Sequence, residues 1–109
     1  MGKYKFTLKQ DLVLHCPELD GVEVFERRLI VRDCIVRIPK NYSWNGCTFA
    51  PDLEETLLAS CVHDALYQYR VNRLQSDRAF LSLLSEFEFK LLYYAAIRLF
   101  GWIWHRKRP

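Results

Sequence analysis

The sequence contains no Cys-x-x-Cys pair, no apolar run long enough to span a bilayer, no internal repeat and no low-complexity tract. Its four cysteines, Cys16, Cys34, Cys47 and Cys61, are widely scattered, which argues against a zinc site. The opening Met-Gly-Lys-Tyr-Lys-Phe-Thr lacks the apolar core of a signal peptide. Phe6 also stands where a myristoylation motif needs Ser or Thr. Reduced thiols in a cytosol are therefore expected, and a membrane-spanning helix is not. A charge excess is nearly missing too: the net charge is only +3, and Arg98, Arg106, Lys107 and Arg108 concentrate basic charge near the end.

What is present is enough for one domain over residues 1–109, with 50% hydrophobic and 27% charged residues, a globular composition. Tyr4, Phe6, Leu8, Leu12 and Leu14 alternate with polar residues, as in a half-buried strand over 4–15 that Pro17 and Asp20-Gly21 end. A second strand is expected over 22–31 with Phe25, Leu29 and Val31 in phase. A turn at Arg32-Asp33 then flips the phase to Cys34, Val36 and Ile38. These make a three-stranded antiparallel meander ending at Pro39. Residues 40–51 form a loop rich in turn formers and aromatics.

Three helices follow, so the fold class is α+β. The first covers 53–69, with Asp52 as N-cap, Glu55 three residues on, and Leu58, Val62, Ala65, Leu66 and Tyr69 as its buried stripe. The second is expected to be capped by Ser76 and to bury Ala79, Phe80, Leu83 and Leu84. The third covers 88–104, with Leu91, Leu92, Ala95, Leu99, Trp102 and Ile103 as apolar positions.

The chemistry centres on Cys61-Val62-His63-Asp64-Ala65-Leu66-Tyr67. His63 and Tyr67, at i and i+4, share a helix face, whereas Asp64 lies about 100° away and must address something else. Consecutive helices on a short linker pack antiparallel, which brings Asp77 back toward His63. A carboxylate on one imidazole nitrogen fixes the tautomer and frees the other as a base. Asp64 is then available to a hard cation such as calcium, with carbonyls of Asn45, Gly46 and Cys47 as co-ligands. Base and cation together describe ester hydrolysis by an activated water. Trp44, Tyr42 and Phe49 are candidates to line a substrate mouth, with core packing between loop and sheet the favoured use. The basic aromatic tail, Trp102, Trp104, Arg106, Lys107 and Arg108, suits an anionic membrane surface, with nucleic acid less favoured and a solvated end with Trp102 in the core as the equal alternative.

From Val36 to Trp102 the chain resembles a family of small proteins encoded mostly in bacteriophage and prophage genomes. The resemblance rests on Ile38-Pro39, Asn45-Gly46-Cys47-Thr48 with Pro51, His63-Asp64-Ala65-Leu66-Tyr67, the Arg73 to Asp77 segment, and Tyr94 through Arg98-Leu99-Phe100-Gly101 to Trp104. It implies a host cytoplasmic or virion protein but no activity.

More locally, Gly46-Cys47-Thr48-Phe49-Ala50-Pro51-Asp52 followed by Cys61 to Tyr67 is similar to the calcium loop and catalytic helix of bacterial and fungal secreted phospholipases A2. That resemblance implies His63 as base, Asp64 as calcium ligand, Tyr67 and Asp77 as its supports, and a Cys47–Cys61 bridge. Asn45 and the single loop glycine depart from the pattern, as does the N-terminal sheet. The alternative is a non-enzymatic phage protein, a virion or tail component or an inhibitor of a host system, in which the His-Asp pair is structural. A histidine-aspartate phosphohydrolase fits poorly, because the upstream histidine, His15, lies in a strand.

Overall fold

The computed structural model describes residues 5–45, 54–84 and 90–101. Strands β1 (Phe6–Thr7), β2 (Leu12–His15), β3 (Val24–Glu26), β4 (Leu29–Arg32), β5 (Ile35–Ile38) and β6 (Ser43–Trp44) precede helices α1 (Glu54–Gln68), α2 (Arg73–Leu84) and α3 (Lys90–Phe100). A one-turn 3-10 segment, Pro17–Leu19, follows β2. The architecture is α+β, but the expected meander of three strands is a four-stranded antiparallel sheet, β2-β5-β4-β3, beside a two-stranded ribbon, β1-β6.

Two local events produce the extra strands. The predicted strand over 22–31 folds back at Arg27-Arg28, so that Val24 faces Val31, Phe25 faces Ile30 and Glu26 faces Leu29. That hairpin puts Phe25 opposite Ile30 on the outer face rather than with Leu29 and Val31 on the core face, and Phe25 is 64% exposed. The predicted strand over 4–15 also breaks, because β1 pairs with β6 while β2 pairs with β5. The next turn is Asp33-Cys34, one residue later than expected. Both residues have positive φ, 53° and 63°, the signature of the type I′ turn whose twist suits a two-residue hairpin.

On the inner face Leu29, Val31, Val36 and Ile38 alternate with outward-facing residues and are fully buried. Against them pack Cys61, Val62, Ala65 and Leu66 of α1. A second cluster, Ala59, Phe80, Leu84, Tyr93 and Ile97, joins the three helices, so α1 carries core on both sides. This sandwiched position is what makes α1 the frame for a site.

The ends of the helices follow capping physics, with corrections to the expected stripes. α1 closes in a Schellman motif: Val71 N–H donates to Leu66 O at 3.0 Å and Arg70 N–H to Tyr67 O at 3.0 Å. Arg70 takes the left-handed position, φ 58°, where glycine is the usual occupant. α2 begins earlier than expected. Its cap is Asn72, whose Oδ1 accepts the Gln75 N–H at 3.0 Å, and Ser76 lies buried inside the helix. Leu58 is half exposed rather than buried, and Leu91, Leu92 and Leu99 are each about two-thirds exposed. Asp52, Trp102 and Ile103 lie outside the described residues.

Candidate functional site

Antiparallel packing of α1 on α2 brings His63, Tyr67 and Asp77 together. Asp77 is completely buried and is the hub. Its Oδ1 lies 2.7 Å from His63 Nε2 and accepts the Tyr67 hydroxyl at 2.5 Å, while its Oδ2 accepts an Arg98 guanidinium N–H at 2.9 Å. An ionised carboxylate only accepts, so His63 carries its proton on Nε2. The lone pair is then on Nδ1, which makes no hydrogen bond among the described residues. The imidazole packs on the Tyr67 ring, centroids 4.1 Å apart, and on Phe80 at 5.1 Å, and its side chain is 13% exposed. It is therefore oriented through Nε2, with a small part of the side chain left exposed.

Burial alone would push the Asp77 carboxyl up. The hydrogen bonds from His63 and Tyr67, with the contribution of Arg98, outweigh it and hold the group below its ordinary value of 3.8. For the Tyr67 phenol, burial and the bond to Asp77 act in the same direction and push it well above its ordinary range, so it stays a donor.

Arg73 closes the cluster from the start of α2. Its Nε donates to the Tyr67 hydroxyl at 3.3 Å and lies 3.9 Å from Asp77 Oδ2. Its terminal amino group donates to the carbonyls of Ile97 and Arg98, at the negative end of α3. Gly101 is needed just beyond. A Cβ there would sit 2.6 Å from the Tyr67 hydroxyl oxygen. Three helices thus meet on one carboxylate.

Asp64 points the other way, toward the sheet side. Its Oδ2 accepts from the Tyr42 hydroxyl at 3.0 Å, and that hydroxyl also lies 3.1 Å from Gln68 Oε1. With a single proton, Tyr42 donates to the carboxylate; the Gln68 amide, turned over, donates in turn to the hydroxyl. Cys61, one turn earlier, is a buried free thiol pushed up to about 12 by burial, with the nearby Asp64 adding to the shift.

No protein-family model, curated protein or solved structure matches this chain. The site must be judged on its own geometry.

On that geometry the expected residues divide. His63, Tyr67 and Asp77 are assembled, and Asp64 adjoins them on a separate face. Among the described residues no three His, Cys, Asp or Glu side chains converge on one point, at Asp64 or elsewhere. One carboxylate does not make a calcium site; the co-ligands would have to be loop carbonyls. Asn45 Oδ1 accepts the Lys5 backbone N–H at 3.2 Å, which ties the end of β6 to the start of β1. Gly46, Cys47, Phe49, Trp102, Trp104, Arg106, Lys107 and Arg108 lie outside the described residues.

Trp44 is only 5% exposed. Its indole N–H donates to Ser60 Oγ at 2.9 Å, and its ring packs on Phe6 and Tyr42, so it is a core residue rather than the wall of a mouth.

Four partners are not assigned to this cluster from the sequence: Arg73, Arg98 and Gly101, which stand only within motifs, and Tyr42, which reads as a core or mouth aromatic. Arg73 stands four residues before Asp77, an i, i+4 ion-pair spacing legible within α2. Arg98, Tyr42 and Gly101 come from distant parts of the chain and carry no local signal.

Proposed function

We propose that this protein is a His-dependent ester hydrolase of the phospholipase A2 type, encoded by a phage or prophage and acting in the host cytoplasm or from the virion. The observation that carries the reading is the His63–Asp77–Tyr67 arrangement. A buried carboxylate and a phenol fix the imidazole through Nε2, and Nδ1 is left to take a proton from water. In that role His63 deprotonates a water as it attacks an ester carbonyl, then returns the proton to the leaving alkoxide. Asp77 offsets the charge that develops on the ring, and Tyr67 holds Asp77 in place. Calcium is proposed at Asp64 with carbonyls of Asn45, Gly46 and Cys47; a bound cation there would polarise the ester carbonyl. Phospholipid at a membrane surface is the proposed substrate, met by Phe49 and by the tail residues Trp102, Trp104, Arg106, Lys107 and Arg108. The test is release of fatty acid or alcohol from a panel of phospholipids and simple esters with calcium present. His63→Asn should lower the rate by ~10²–10⁴ while leaving the fold intact. No release by the wild-type protein from any member of the panel would end this reading.

A second reading rests on a different observation, the two guanidiniums at Asp77. Arg73 and Arg98 share the carboxylate with His63 and clamp α1, α2 and α3 together, which a structural network requires and a hydrolase does not. On this reading the protein is a non-enzymatic virion or host-binding component. His63→Asn would then change stability and leave partner binding intact.

A further inference from the structure

Away from the Asp77 cluster, a cleft of about 510 Å³ opens between the β3–β4 turn and the turn at 39–42. Arg27, Arg28, Lys40, Asn41, Tyr42 and Ser43 line it. Its walls are two hydrogen-bonded turns. Arg27-Arg28 is the two-residue connection of a hairpin whose register runs up to Glu26 opposite Leu29. On the other side Tyr42 N–H donates to Pro39 O at 3.2 Å, and Asn41 takes φ 78°, as a type II turn requires at its third position. The Lys40 backbone N–H donates to Asp11 Oδ1 at 2.7 Å, which pins that turn to the sheet.

The charge in this cleft is not used in an ion pair among the described residues. Three of its lining residues are cations and none is a carboxylate. Arg27, Arg28 and Lys40 form no ion pair among the described residues; Arg32, Arg73 and Arg98 do. Holding adjacent arginines and a lysine around one opening is a repulsive arrangement that a structural role would not select. Neither arginine is a turn former by its own chemistry. Asp11 is the acid tied to this turn, and its Oδ1 serves the Lys40 backbone.

We propose that this cleft binds the phosphate group of a small phosphate ester. Guanidinium forks match phosphate oxygens in pairs, a lysine supplies a third point charge, and Asn41 and Ser43 add neutral polar groups at the rim. A phosphate monoester, dianionic near neutral pH, answers three cations better than a carboxylate would, and a diester still offers two free oxygens to a guanidinium fork. The volume falls within the ~300–1,000 Å³ usual for small-molecule sites. Tyr42 links the cleft to α1, since it lines the cleft and its hydroxyl donates to Asp64. The proposal does not depend on hydrolysis at His63.

Calorimetric titration of the full chain at low ionic strength tests it, with inorganic phosphate, glycerol 3-phosphate and the diester glycerophosphoglycerol as probes. The wild-type protein should bind at least one of them. A charge-assisted contact contributes about a factor of ten in affinity, so removing both arginines in Arg27→Ala/Arg28→Ala should weaken binding by about a hundredfold. Lys40→Ala, on the opposite wall, should weaken it in the same direction and serves if the double variant fails to fold. Arg37→Ala, on the outer sheet face outside the cleft, should bind as the wild type does. Preference for phosphate or the monoester would identify a soluble phosphate compound as the source, and preference for the diester a lipid headgroup. The proposal is overturned if no probe binds, if Arg37→Ala weakens binding as much as the cleft variants, or if duplex DNA binds while the small phosphates do not.

Discussion

Replacing Asp77 by asparagine preserves its shape and removes its charge, which makes it the sharpest probe of the helical cluster. In the native protein the carboxylate accepts from His63, Tyr67 and Arg98 and lies 3.9 Å from Arg73 Nε, with no exposure of its own. An asparagine offers one acceptor oxygen in place of two. Its amide nitrogen must therefore face either the His63/Tyr67 side or Arg98, donor against donor. Breaking a buried ion pair by removing one partner costs ~3–5 kcal/mol. The Arg73 and Arg98 side chains are 26% and 36% exposed and can regain water, which places the loss near the lower end.

With a urea slope of about 1.5 kcal/mol per M, a loss of about 3 kcal/mol moves the unfolding midpoint down by about 2 M. The effect has a defined pH dependence. The native Asp77 carboxyl titrates below its ordinary value of 3.8, so its stabilisation is fully present above that value and disappears as the pH falls through the native one. Urea melts of wild type and Asp77→Asn at pH 7, 4 and 2.5 should thus converge as acid is added. A loss below about 1 kcal/mol at pH 7, or a gap that does not narrow in acid, would show that the carboxylate is not the charged hub described above.

Gly101→Ala would place a methyl group 2.6 Å from a Tyr67 hydroxyl already held by Asp77 and Arg73, so the ring or α3 must shift. Such overpacking costs ~1–3 kcal/mol, and an unchanged thermal midpoint would contradict the close approach. The Cys61 and Cys16 thiols, pushed up to about 12 and about 11 chiefly by burial, should resist iodoacetamide at pH 8 in the native protein and react once it is unfolded in urea. Peptide mass analysis reads this out, and rapid native labelling of Cys61 would contradict its burial.

Much of this architecture is written locally in the chain. The alternation in 12–15, 29–32 and 35–38 marks strands whose inner residues are buried, because a period of two leaves a strand only two faces. The apolar spacing through Val62, Ala65 and Leu66 marks α1, and the four-residue separation of His63 and Tyr67 puts them on one face before any tertiary contact forms. The short connection from α1 to α2 is enough to direct Asp77 back to that face.

Other features needed the third dimension. Phe25 keeps phase with Leu29 and Val31 along the chain, yet a hairpin at Arg27-Arg28 reverses the strand and sends it outward. Leu91, Leu92 and Leu99 are apolar and helical, but a single face of α3 meets α2, and these three are not on it. The pairing of Phe6 with Trp44, which splits the first strand, joins segments far apart in sequence, where closure entropy is repaid only by the completed core. The candidate site divides along the same line. Sequence alone placed His63 beside Tyr67 and set Asp64 on a different face, because helix geometry is local. Only the packing of α3 on α2 brought Arg98 to Asp77 and Gly101 to Tyr67, and only the seating of α1 on the sheet gave Asp64 its partner in Tyr42. Those contacts depend on which surfaces exclude water together, a property of the whole fold rather than of any stretch of it.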